Sequence, residues 1–233
     1  MKKIYFIPQT ELAQEVIDPP KPAKNFIPEW YKKLPRKMNK NLLWRNPNGS
    51  SNRSMKACVP VMDTLTSGYI ITTSADIYVN QNIEYEHKFM WEVSRTLITT
   101  HIKEQYGEMP VPDGYEKDPF KWETDWIIKT PKGFSLLFSH PSYRFDLPFI
   151  TFTGIVDADK YNMALNLPFF LKEGFEGLIP KGTPIAQVMP IKRESWKSST
   201  KKYSPKQKYN LEKIKSIIDR SYKKTFWQKK EYL

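Results

Sequence analysis

Nineteen prolines punctuate this chain of 233 residues, against only nine glycines. Proline removes a backbone donor and breaks helix interiors, so the chain has to be assembled from short segments. Eight of the prolines stand at or before position 60 (8, 19, 20, 22, 28, 35, 47 and 60), too close together for any long helix. Residues 1–56 therefore read as an extended, wrapping arm and linker. Within it, FIPEWYKKLP predicts a helical turn from Pro28, with Phe26, Trp30 and Leu34 recurring every four residues and docking on the rest of the chain. The polar stretch Asn39 to Ser54 predicts a loop.

A composition of 39% hydrophobic and 14% aromatic residues can fill a real core. From Ala57 the pattern predicts strands: ACVPVMD (57–63), then SGYIITTSADIYVN (67–80), where Tyr69, Ile71, Thr73, Ala75, Ile77 and Val79 share one face by period two. Further short apolar runs lie at 125–131, 133–141, 147–157, 161–171 and 183–192, each bounded by Pro, Gly or Asp. Residues 57–194 read as a β-rich body, an antiparallel sandwich or barrel. No βαβ alternation and no repeat of the solenoid kind is visible.

The C-terminal segment, residues 195–233, predicts one amphipathic helix. Ser204 and Pro205 supply a cap and first position, and Leu211, Ile214, Ile218 and Tyr222 follow at helical spacing. From Lys192 to Leu233 there are fourteen Lys or Arg against four acids, a net of +10, which leaves +2 for everything before it. Such a segment meets nucleic acid, an acidic partner or an acidic face of its own oligomer, or simply coats a solvated face. The candidate contacts are Lys201, Lys202, Lys206, Lys208, Lys223 and Lys224, interleaved with Tyr203, Tyr209, Tyr222, Phe226 and Trp227 for stacking on bases. The final FWQKKEYL reads as a docking peptide or as the closure of the chain's own core.

Other chemistry is sparse. Cys58 is the only cysteine, which excludes an intrachain disulfide and a four-thiolate zinc site, and its apolar neighbours make it a packed residue. His87, His101 and His140 fit no zinc spacing, so no metal site is expected. Phosphate loops of the GxxxxGK type and dinucleotide GxGxxG patterns are absent. No apolar stretch is long enough to cross a membrane, and the expected location is the cytoplasm.

Two segments carry a resemblance. TGIVDADKYNMALNL (153–167) and FEGLIPKGTPIAQVMPIKRE (175–194) resemble the third and fourth motifs of the dUTPase and dCTP deaminase superfamily. HPSYR (140–144) sits where that family has its phosphate-binding motif. The whole chain also has the look of a family found in phages and marine bacteria, which for a phage-encoded chain implies the host-cell cytoplasm or the virion. The resemblance implies a mainly β fold, an antiparallel jelly-roll or β-clip-like (dUTPase-like) body, flanked here by the Pro-rich arm and the basic helix. It implies Asp157 as the water-activating base, and Ser142, Arg144, Asp159, Tyr161 and Gln187 as ligand-binding residues. Lys160 is inserted between the acid and the tyrosine, Asn162 replaces a glycine, and no glycine follows Trp196. The expected function is therefore recognition of a nucleotide or nucleotide-like ligand rather than the family's dUTP hydrolysis, with Mg²⁺ entering only alongside nucleotide phosphates. If the chain is an enzyme, it is a hydrolase of nucleotide phosphate esters or anhydrides. The alternatives are a phage assembly protein that contacts neighbouring subunits through its two arms, self-associating, and a nucleic-acid binder using the tail.

Overall fold

The computed structural model describes residues 2–42, 51–82, 88–216 and 221–233. In chain order the first elements are β1 (Tyr5–Pro8), α1 (Glu11–Val16), β2 (Lys21–Pro22), α2 (Glu29–Lys33) and α3 (Val59–Thr66). They are followed by β3 (Tyr69–Thr72), β4 (Ile77–Val79), β5 (Phe89–Met90), β6 (Ile98–Thr100), α4 (Lys103–Tyr106), β7 (Phe120–Glu123) and β8 (Trp126–Lys129). The remainder comprises β9 (Phe134–Ser139), β10 (Phe149–Thr151), β11 (Gly154–Val156), β12 (Asn166–Leu171), β13 (Gly177–Ile179), β14 (Pro184–Lys192), α5 (Pro205–Ser216) and α6 (Ser221–Thr225). Two compact units result, one of Met1–Phe26 with Gly68–Arg193, the other of Ile27–Ser67 with Glu194–Leu233.

The first unit is mainly antiparallel β. Its sheets run β11-β9-β14-β3-β2, β10-β12-β7-β6, β13-β4-β5 and the ribbon β1-β8, and none closes into a barrel among the described residues. The core is aromatic: Phe120, Trp122, Phe149 and Phe169 are at most 1% exposed, and Trp122 stacks on Phe169 at 4.0 Å between ring centres. Alternation produces this, since Leu167, Phe169 and Leu171 fall on one side of β12 and are fully buried. Gly68 leads into β3 with φ +73°, and a Cβ there would stand 2.1 Å from the Val188 carbonyl oxygen, so only glycine fits.

The expected arm holds regular structure. Pro8 and Pro19 bracket α1, whose Thr10 cap accepts from the Ala13 N–H at 3.0 Å, and β1 pairs with β8 from Tyr5 opposite Lys129 to Pro8 opposite Trp126. The single strand expected across 67–80 divides into β3 and β4, which join different sheets. Ile70 is buried as well as Tyr69 and Ile71, so both faces of β3 are covered, while β14 and β2 pair with its two edges.

The second unit corrects two expectations. Residues 57–63 do not form a strand: Val59–Thr66 is helical, with Pro60 in its first turn and the buried Val61 and Leu65 four residues apart. In α2 the buried side chain is Tyr31, while Trp30 is 43% exposed, so the spacing-of-four face is not the packed one. The helix at Pro205 starts where expected, and the Gln207 side chain accepts from the Ser204 N–H at 2.9 Å, satisfying one orphan donor. Ile218, and the side chains of Leu211 and Ile214, lie outside the described residues.

Candidate functional site

Asp157 and Asp159 come together with a residue the sequence did not single out. Val156 of β11 pairs with Leu136 of β9, which sets Asp157 beside Ser135 on the next rung, and Ile191 of β14 pairs with the same Ser135. Ser135 donates its hydroxyl to Asp157 at 2.7 Å, and Arg193, just beyond β14, reaches Asp157 at 3.0 Å. The Arg193 guanidinium also forks onto both oxygens of Asp159, one contact at 2.7 Å, and Asp159 accepts the Gly133 N–H at 2.9 Å. Hydrogen bonds from Ser135 and Arg193 hold the Asp157 carboxyl below its ordinary range. Those from Arg193 and Gly133 depress Asp159 further, and the two aspartates push the Arg193 guanidinium up. Tyr161 is 41% exposed, its N–H bonded to the Asp157 carbonyl at 2.9 Å and its own carbonyl taking a hydrogen bond from Lys129 at 3.0 Å.

Ser142, Arg144 and Gln187 form a second cluster. The buried Gln187 accepts the Ser142 N–H at 3.1 Å, and Arg144 closes a bidentate pair on Asp146, Nε to Oδ1 and Nη2 to Oδ2, each at 2.8 Å. His140 braces this turn: it receives the Thr151 N–H on Nδ1 at 3.3 Å and lies 3.0 Å from the Arg144 carbonyl through Nε2. A carbonyl only accepts, so Nε2 carries the proton and the ring is neutral, in keeping with burial pushing its pKa down. Gln187 pairs with Ser139, four residues along β9 from Ser135, so the two clusters lie about 13 Å apart along the strand. The expected residues thus occupy both ends of one ladder.

A cleft lined by Ile17, Asp18, Ser74, Asp125 and Trp126 has a volume of about 20 Å³, room for roughly one water. Arg95 pairs with Asp125 and Ser74 there, and burial raises the Asp125 pKa against the opposing pull of Arg95. Among the described residues, no group of three or more His, Cys, Asp or Glu could hold a metal. His87 lies outside those residues.

The second unit holds the charge. It carries twenty Lys or Arg against six Asp or Glu, a net of +14, while the first unit carries seventeen against nineteen, a net of −2. Lys197, Lys201, Lys202, Lys206, Lys208 and Lys223 are exposed. Trp196, Tyr203 and Tyr209 are 87%, 69% and 66% exposed, and Tyr222 and Phe226 are exposed beside Lys223. The Lys224 side chain lies outside the described residues. Trp227 and Lys230 behave differently, since both are held by Asp63 of α3. Among the described residues, no helix is long and apolar enough to cross a membrane.

Neither a family model nor a curated protein matches the chain. Among solved structures, a mutant dUTPase from phage phi11 of S. aureus is similar over 73% of this chain and 96% of its own, with 13% identity and a TM-score of 0.34. A likeness that slight carries no argument about topology or function. The antiparallel β architecture rests on the strand register alone.

Proposed function

We propose that the protein binds nucleic acid through its basic second unit. The observation that carries this reading is the division of charge, +14 in one unit and −2 in the other. A phosphate backbone is the ligand whose affinity grows with each exposed lysine, through release of condensed counterions. Lys201, Lys202, Lys206 and Lys208 are exposed within a span of eight residues and enter no ion pair among the described residues.

Recognition of a mononucleotide by Ser142, Arg144, Asp157, Asp159, Tyr161 and Gln187 is the weaker reading. A general base works best with its pKa raised toward neutrality, whereas Ser135 and Arg193 hold Asp157 the other way. Assembly through the two arms has no observation of its own in favour.

Fluorescence anisotropy of a labelled oligonucleotide against the full chain tests the proposal. With on the order of six phosphates neutralised, affinity is expected to fall roughly 10³-fold between 50 and 200 mM salt. Replacing Lys201, Lys202, Lys206 and Lys208 together with Gln should weaken binding and flatten the salt slope. Binding indifferent to both salt and these lysines would overturn the proposal.

A further inference from the structure

We infer that the nucleic acid is single-stranded and is held without sequence preference, its bases stacked on the exposed aromatic rings of residues 196–209. This rests on the nucleic-acid reading above and adds the class of ligand.

Three features of this segment point the same way. First, Trp196 is the most exposed large apolar side chain among the described residues, and Tyr203 and Tyr209 are more than half exposed. Exposed rings of this size offer flat apolar faces on which a ligand's own flat surface can stack. Second, these rings alternate with cations: Lys197 follows Trp196, Lys201 and Lys202 precede Tyr203, and Lys206 lies three residues before Tyr209, on the same side of α5. A ligand that offers flat apolar faces and anionic charge at short intervals satisfies both. Base faces and phosphates do so, but a duplex hides its faces in the stack and shows only edges in its grooves. Unpaired strands leave the faces open.

Third, the charge is of one kind. Between Glu194 and Leu233 there are eleven lysines and a single arginine. Lysine is a point charge suited to phosphate, whereas specific base readout favours the planar fork of arginine on guanine. Every base has a face, so stacking discriminates little among sequences.

The test uses the full chain with a labelled 20-mer, once single-stranded and once as its duplex, at fixed salt. The single strand should bind about tenfold or more tightly than the duplex and quench tryptophan emission, and homopolymers of different bases should agree within severalfold. A Trp196→Leu, Tyr203→Leu, Tyr209→Leu variant should lose about tenfold or more for the single strand while keeping its duplex affinity and its salt slope. The substituted side chains are exposed, so folding is preserved, and a circular dichroism spectrum checks it. Equal affinity for both forms, or a variant that binds like the parent, overturns the inference and leaves the nucleic-acid reading standing. Polyglutamate competing as well as an oligonucleotide of equal charge also overturns it, because the bases would then contribute nothing. Binding of neither form overturns the underlying reading, and the inference with it.

Discussion

Trp227 donates its indole N–H to both carboxylate oxygens of Asp63, at 2.9 Å each, across 164 residues of sequence. Lys230 adds a 2.6 Å contact to the same carboxylate, and Lys223 and Lys230 stand 5.4 and 5.8 Å from the Trp227 ring centre. The segment FWQKKEYL is thereby fastened to α3 of its own chain. Asp63→Ala removes every acceptor of this latch at once. The expected cost is about 1–2 kcal/mol in urea denaturation, taking a hydrogen bond to a charged group as the main loss and discounting the half-exposed Lys230. Trypsin should then cut after Lys229 or Lys230 faster than in the parent. Unchanged cleavage and stability would mean that the terminal segment is held by something else.

Arg193 sets the acid limb of stability. Asp157 and Asp159 both titrate below the ordinary carboxylate value of 3.8 in the folded chain. Their depressed pKa values contribute stability that is present above the unfolded value and lost as pH falls through the folded values, so the loss lies below about pH 4. Arg193→Gln removes the fork and brings the folded values back toward the unfolded ones. The variant should melt lower than the parent at pH 7, and the gap should close as pH is lowered from 5 to 2. A gap of constant size across that range would refute the assignment, and Arg193→Lys should restore only part of it, since lysine lacks the fork.

Parts of this architecture could be read directly. Pro205 announced α5 because the missing N–H of proline costs nothing in a first turn. Apolar runs bounded by Gly133, Pro141 and Gly182 announced β9 and β14. Val59–Thr66 misled, because a short apolar run with β-branched residues cannot be told from a strand by periodicity alone. Its helical signs were Pro60 and the four-residue spacing of Val61 and Leu65. Thr10 followed by Glu11 carried the signature of α1 in the same way, obscured by the prolines around it. The contacts that Ser135 makes with Asp157 and Arg193 had no local signature, being 22 and 58 residues apart. They exist because two ladders place those positions on neighbouring rungs, and a slip of one residue would turn them to opposite faces. The charge of the second unit was only half visible. The segment 27–67, whose sequence holds eight further cations, belongs to the same unit as the tail.

Phe169 is the keystone of the aromatic core, touching the rings of Phe89, Phe120, Trp122 and Phe149 with centres 4.0 to 6.3 Å apart. Phe169→Ala leaves a cavity in this core that cannot fully collapse around a stacked Trp122. The expected loss is about 3–5 kcal/mol in urea denaturation at an unchanged slope. Phe169→Leu, which keeps most of the volume, should cost clearly less. Equal losses in the two variants would show that the ring stacking, rather than the filled volume, dominates.

His140 gives the fold a second pH dependence. Its folded pKa lies below the ordinary 6.5 because burial disfavours the charged ring, and protonation would also displace the Thr151 N–H from Nδ1. Between the folded and unfolded pKa values the unfolded chain holds the extra proton, so stability is fully present above about pH 6.5 and declines as pH falls below it. Melting temperatures from pH 8 down to pH 5 should be level at first and then fall. His140→Gln keeps an acceptor and a donor in the turn without titrating there, so its melting temperature should start lower and stay flat over the same interval. A parallel decline in both proteins would assign this pH dependence to another group. An NMR titration placing the His140 pKa at or above 6.5 would remove the burial argument itself.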